Sequence, residues 1–168
     1  LKAFPFTDLG YAKLDGHRAL RTGYPEVVYC EGKDIEHIKG IALKYQKDGT
    51  PMLATRASDE VYQAVLTVAP QAAYHRLAKA ITLGESLPIA HPNKCILIVT
   101  GGTADIPVAE EAAVTAEFFG NHVERLYDVG VAGIHRLIAH TPLLQKANVV
   151  VAIAGMEGAL ASVVGGLT

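Results

Sequence analysis

The sequence predicts an α/β protein. A small N-terminal α/β domain occupies residues 1–87, and a second domain, residues 88–168, is built on a parallel sheet and reads as incomplete at its C-terminus. Three observations carry this. Short β-branched runs alternate with helix-spaced apolar positions, the pattern of strand–helix–strand units. Pro88, Pro92 and Asn93 interrupt the pattern near the middle, as a boundary does. Beyond them, three strands each end in a glycine-rich loop that opens a helix, as parallel strands with right-handed crossovers require.

Residues 1–25 have weak periodicity. Residues 11–21 predict a short polar helix, ended by Gly23 and Pro25. Residues 26–29 read as a strand through Val27 and Val28. Residues 34–46 carry Ile35, Ile38, Ile41, Ala42 and Tyr45 at helical spacing, and Gly49 stops them. Residues 51–55 predict a strand and 60–68 a helix. Residues 74–83 read as a third strand with poor alternation.

The second domain is more regular. Residues 95–100 predict a buried strand, and 107–119 a helix with Pro107 in its first turn and Gly120 after its last. Residues 122–127 predict a strand and 134–145 a helix. The valine-rich stretch 148–154 predicts a strand buried on both faces. A helix follows over 157–164. The pair Gly165-Gly166 then reads as a loop from which a further strand would start. In the helix after the first strand, Val108, Ala109, Ala112, Ala113 and Ala116 form a flat face suited to close packing on the sheet.

Composition removes several function classes. Half of the 168 residues are apolar, enough for one good core or two small ones. Fifteen basic against seventeen acidic residues argue against a protein that holds nucleic acid by neutralising phosphates. The two cysteines, Cys30 and Cys95, make neither a disulfide framework nor a CxxC metal pair, and fit a reducing cytoplasm. Residues 149–167 approach the length of a membrane span. Glu157 at the centre would cost about 2.5–3.5 kcal/mol on insertion, and four glycines interrupt the run, so no span is expected.

Ligands of an open parallel sheet bind beyond the carboxyl ends of its strands. Three loops meet there: Thr100-Gly101-Gly102-Thr103-Ala104-Asp105, Asp128-Val129-Gly130-Val131-Ala132-Gly133-Ile134-His135-Arg136, and Gly155-Met156-Glu157-Gly158. The topology therefore places Asp105, Asp128, His135, Arg136 and Glu157 at one edge, among helix starts that receive anions. No loop matches GxGxxG or a P-loop, so neither a standard dinucleotide nor an NTP fingerprint is present. Taken singly, each loop reads as a simple turn, Asp105 as a cap and Glu157 as a carboxylate favoured by the helix dipole. Their coincidence on one edge favours a site. In the first domain, Lys33 and Arg56 follow strands and are weaker anion candidates. Cys95 reads as inert core, and Cys30 as a weak nucleophile candidate.

These loops, together with Ala12-Lys13-Leu14-Asp15, Arg18-Ala19-Leu20-Arg21, Pro25-Glu26-Val27-Val28-Tyr29 and Thr55-Arg56, resemble the LarB family over nearly the whole chain. That family is pyridinium-3,5-biscarboxylic acid mononucleotide synthase, and its second domain is similar to the PurE carboxylase/mutase fold. The resemblance implies a substrate, nicotinic acid adenine dinucleotide, which is carboxylated by CO2 at pyridinium C5. Hydrolysis of the phosphoanhydride follows and releases AMP. The product feeds the nickel-pincer cofactor of lactate racemase-type enzymes.

On this reading Glu157, Asp105 and His135 are the catalytic candidates. Thr100, Gly101, Gly102, Thr103, Asp128, Gly130, Arg136, Gly155, Met156 and Gly158 are the substrate-binding ones. No metal ligands are assigned and no cofactor is identified; Mg2+ is left open. A cytoplasmic homo-oligomer, up to an octamer, is expected, with no nucleic-acid or membrane partner. The family's nucleophilic cysteine falls beyond Thr168, and neither Cys30 nor Cys95 matches it. Gly101, Ala104 and Ala161 stand where the family usually has alanine, serine and proline. Two alternatives stay open: a PurE-type enzyme acting on an aminoimidazole ribonucleotide, and a non-catalytic nucleotide-binding module.

Overall fold

The computed structural model describes residues 6–168, and the chain forms two compact units that divide between Ser86 and Leu87. In the first unit, β1 (Thr7–Asp8) pairs antiparallel with β2 (Lys13–Leu14). Helix α1 is confined to Arg18–Thr22, where the sequence predicts a helix from residue 11. Tertiary contacts explain the difference. Tyr11 stacks on His37, with ring centroids 4.3 Å apart, and its hydroxyl occupies the space that a side chain on Gly40 would need. Asp15 accepts from the His17 N–H and pairs with Arg21, which sets the turn before α1.

Strand β3 (Val27–Tyr29) runs parallel to β4 (Met52–Thr55), joined by α2 (Ile35–Asp48). The Asp34 carboxylate accepts from the Glu36 N–H at 2.8 Å to start α2, and Gly49 ends it at φ 63°. Helix α3 (Asp59–Leu66) is capped by the Ser58 hydroxyl. Residues 74–83 are not one strand: β5 (Ala73–His75) and β6 (Ala80–Leu83) form an antiparallel hairpin, reversed near Lys79 at φ 48°. The poor alternation recorded this turn. The sheet order is β3-β4-β6-β5, and Ile38, Ile41, Val61 and Val65 pack against Met52, Ala54 and Ile81.

The second unit is a three-stranded parallel sheet in the order β8 (Val123–Leu126), β7 (Ile96–Thr100), β9 (Val149–Ile153). Side-chain alternation along β7 builds a layer on each face. Leu97 and Val99 join Leu126, Leu137, Leu144, Leu160 and Val164. Ile98 meets Ala109 and Ala113 of α4 (Ile106–Phe118), so the alanine face closes on the sheet. The mixed α/β class with a parallel sheet is as expected.

Three details differ. The helix predicted over 134–145 is two, α5 (Ile134–Ile138) and α6 (Thr141–Lys146). Pro142 has no N–H for the Ile138 carbonyl, and the Thr141 hydroxyl donates to it instead at 2.7 Å. Strand β9 is not buried on both faces: among the described residues it is an edge strand, Val149 is 51% exposed, and the rest of the strand is only half-buried. Helix α7 spans Ala159–Leu167, so it starts later than predicted and contains Gly165 and Gly166, which are therefore not a loop. Burial of Leu160 and Val164 outweighs the weak helix propensity of the two glycines, about 1 kcal/mol each. Among the described residues, no helix is long and apolar enough to cross a membrane.

Candidate active site at the strand ends

The end of β7 is tied to both neighbouring loops. Thr100 is fully buried, and its hydroxyl accepts from the Asp128 N–H at 3.0 Å. Its carbonyl accepts from Val129 N–H, and the Gly101 N–H donates to the Ile153 carbonyl, each at 3.0 Å. These bonds draw the three loops together. A Cβ on Gly130 would stand 2.5 Å from the Gly101 carbonyl oxygen, and one on Gly101 would stand 3.3 Å from the Ala154 Cβ. The glycines are thus required by close approach of one loop to the next.

The loops enclose one cleft of about 400 Å³, within the size range of small-molecule sites. Gly101, Gly102, Ala104 and Asp105 come from the first loop, and Gly130, Val131, Ala132 and Arg136 from the second. Ala154, Gly155, Met156 and Glu157 come from the third, with Ala159 and Leu160 of α7 behind them.

Asp105, Arg136 and Glu157 bring polar side chains to the cleft. Asp105 Oδ2 accepts from the Gly102 N–H at 2.8 Å, which closes the first loop. Its other oxygen faces the third loop, 4.0 Å from where a Gly155 Cβ would be. Arg136 places Nη1 2.9 Å from Asp128 Oδ2 and Nη2 3.5 Å from the Gly130 carbonyl. Asp128 itself adopts φ 58°, a left-handed conformation that Asp tolerates better than most residues. Glu157 lies exposed between two left-handed residues, Met156 at φ 50° and Gly158 at φ 67°, in a turn closed by Gly158 N–H to the Gly155 carbonyl. It precedes α7 rather than beginning it, so the turn and not a helical first turn orients it. Met156 is fully exposed at the rim. Such left-handed non-glycine residues cost on the order of 1–2 kcal/mol each and concentrate at functional sites.

Of the residues the sequence singled out, the structure gathers Gly101, Gly102, Asp105, Gly130, Arg136, Gly155, Met156 and Glu157 around the cleft. Thr100 and Asp128 stand behind it, the first holding a loop and the second Arg136. Thr103 and Gly158 are not among its lining residues, and neither is His135, which is exposed on α5. The sequence reading missed the apolar wall of Val131, Ala132, Ala154, Ala159 and Leu160. Their signal was only adjacency to the glycines. Asp105 and Glu157 are hard oxygen donors of the kind that share a Mg2+ ion with substrate phosphates.

Neither thiol lines the cleft. Cys30 is buried in the first unit, and burial pushes its thiol up to about 11. Cys95 precedes the opposite end of β7, and burial with the Glu124 charge raises it too. The first unit has a separate cavity of about 350 Å³, with Lys13, Lys33 and His37 beside Tyr11 and Glu26.

Residues 6–85 match the family model described as the LarB/PurE-like N-terminal domain. This match assigns the first unit to the LarB/PurE-like N-terminal domain family. The matched domain supports a relationship to the carboxylase family. An uncharacterized protein of Methanocaldococcus jannaschii is 39% identical over 160 residues, which cover 90% of this chain and 62% of that protein. The chain thus spans less than two thirds of the length of this curated relative.

Proposed function

We propose that this chain forms the substrate-binding sheet edge of a LarB-type carboxylase/hydrolase acting on nicotinic acid adenine dinucleotide. The observation that carries the reading is the closure of three glycine loops into one cleft with one cation, Arg136, and two carboxylates, Asp105 and Glu157. Bare loop backbone and adjacent helix starts suit phosphate oxygens, and a guanidinium suits a carboxylate or phosphate.

The chemistry gives each group a task. A pyridinium carbon is electrophilic and does not attack CO2. Addition of a thiolate to the ring makes an enamine, whose C5 forms the new bond to CO2. Loss of the C5 proton and then of the thiolate restores the aromatic ring, so covalent catalysis divides a hard step. Water next cleaves the phosphoanhydride and AMP leaves. Glu157 is exposed at the cleft and suits proton acceptance or orientation of that water. One Asp105 oxygen is committed to Gly102, which makes it mainly a loop holder. Asp128 aims Arg136. His135 on this reading acts, if at all, from outside the cleft of a single chain.

Cys30 and Cys95 do not suit the thiolate step, since both are buried and held protonated. The residues described here therefore bind and orient, and the thiolate is the family's cysteine. A cytoplasmic homo-oligomer supplying nickel-pincer cofactor assembly completes the reading. Isothermal calorimetry tests it: nicotinic acid adenine dinucleotide binds, and an aminoimidazole ribonucleotide does not. The opposite preference would replace this reading with a PurE-type one.

A further inference from the structure

We propose that Cys95, His122 and Glu124 bind one borderline-soft divalent cation, of the zinc class, at the end of the second unit's sheet opposite the cleft. Cys95 immediately precedes β7, His122 immediately precedes β8, and Glu124 lies within β8. The parallel register pairs Ile96 with Val123 and Leu97 with Glu124. Side chains alternate along strands, so Cys95, His122 and Glu124 fall on one face of the sheet. The Ile96 N–H donates to the His122 carbonyl at 2.9 Å, which holds the two strand starts level.

The thiol sulfur, an imidazole nitrogen and a carboxylate oxygen lie within 4.8 Å of one another. Bonds of about 2.0–2.3 Å in a tetrahedral site place ligand atoms roughly 3.5 Å apart, so closure needs about 1 Å of side-chain movement. The movable partners are the right ones. The His122 and Glu124 side chains are 50% and 30% exposed. Cys95 is buried, and its backbone is fixed on both sides: its N–H donates to Asn148 Oδ1 at 3.0 Å, and its carbonyl accepts from the Asn148 N–H at 3.0 Å.

Charge and softness select the ion. A thiolate and a carboxylate together neutralise a dication, and imidazole adds none. Sulfur and nitrogen donors favour zinc-class ions over Mg2+ or Ca2+. On binding, the Cys95 S–H proton leaves to solvent and the sulfur lone pair takes the metal. Glu124 Oε1 lies 3.7 Å from His122 Nε2 and faces Lys146, so the cation takes over from Lys146 as its counter-charge. Lys146 Nζ lies 3.7 Å from Glu124 Oε1 but is largely exposed, and swings away when the metal enters. Three protein donors leave a fourth position for water. The five residues of β7, roughly 16 Å of strand, separate the site from the cleft, so the ion clamps the starts of β7 and β8 and its binding is independent of the carboxylation reading.

The test uses the untagged full chain, stripped with a chelator. Zn2+ titration against a competing chelator should show saturable binding of one ion per chain and a higher melting temperature. Co2+ should give a thiolate-to-cobalt charge-transfer band and visible bands of tetrahedral intensity. Cys95→Ser should abolish the charge-transfer band and weaken Zn2+ binding by about 100-fold, and Glu124→Gln by about tenfold or more. Cys30→Ser should leave the band in place. If Cys95→Ser does not fold, His122→Asn at an exposed position carries the test with the same loss. Binding no stronger than the competing chelator, or a cobalt spectrum unchanged by Cys95→Ser or His122→Asn, overturns the proposal.

Discussion

Gly130 presents a bare Cα to the carbonyl of Gly101, and any Cβ there would stand 2.5 Å from that oxygen. The obstacle is backbone, so it cannot rotate aside. Gly130 has φ −57°, so alanine is compatible with its dihedral and the cost is purely steric. Gly130→Ala should therefore destabilise the second unit by about 1–3 kcal/mol, the usual cost of overpacking, and should weaken ligand binding as the two loops part. Gly158→Ala is the contrast: open space surrounds it but φ is 67°, so it should cost about 1 kcal/mol through the backbone alone. Urea unfolding of both variants separates the two causes.

Arg136 is shared between Asp128 and the cleft. The ion pair is partly exposed and contributes little to folding, about 0–1 kcal/mol. Its value lies in aiming the guanidinium. Arg136→Lys keeps the charge but loses the planar fork, and should weaken binding of a phosphate-bearing ligand by about tenfold or more, with the melting temperature nearly unchanged. Asp128→Ala should lower affinity too, although it removes a negative charge, because Arg136 then loses its guide. Calorimetry with nicotinic acid adenine dinucleotide reads both; tighter binding in Asp128→Ala would show that the pair only competes with the ligand.

Much of this architecture was legible because local chemistry decided it. Asp34 before α2 and Gly49 after it act within one turn, and the valines and isoleucines of β7 declare a buried strand wherever they sit. The errors fall where packing or a specific hydrogen bond decides. Nothing near Tyr11 announces that Gly40, far along the chain, leaves room for its ring. Gly165-Gly166 looks like a break, yet Leu160 and Val164 reach the core and hold the helix through it. Pro142 was visible, but reading it as a helix break requires seeing that Ile138 finds another donor in Thr141. The loops of the cleft were found by their glycines and by the rule for parallel sheets. Which side chains face inward was not legible: Arg136 turns in through Asp128, while its neighbour His135 lies outside.

Glu157 should matter to chemistry and not to folding. It is exposed, in a turn made by backbone atoms and by Met156 and Gly158 in left-handed conformations. No core contact depends on its charge. Glu157→Gln should change stability by about 0.5 kcal/mol or less. In a longer chain that carries the family's cysteine, turnover of nicotinic acid adenine dinucleotide should fall by about a hundredfold if Glu157 moves a proton. Full turnover in that variant removes it from the mechanism.

Cys30 gives a pH dependence whose sign can be worked out in advance. Its thiol is 3% exposed, and burial raises it from 9.0 to about 11 in the folded chain. Between those values the unfolded chain has lost the thiol proton and the folded chain has kept it. The unfolded state then binds fewer protons, so stability falls as pH rises through this window and levels off above it. Two pH units correspond to about 2–3 kcal/mol at full separation. Tyr45, pushed up to about 12 mainly by burial, adds a similar loss at higher pH, so the wild-type slope alone does not isolate the thiol. Cys30→Ala does. It should be somewhat less stable than wild type near neutral pH because it loses the buried sulfur. Its urea-unfolding free energy, followed by circular dichroism, should then decline less steeply than that of wild type between about pH 9 and pH 11. Parallel curves would mean that the Cys30 thiol titrates in the folded chain as it does in the unfolded one, and that its burial is not maintained in solution.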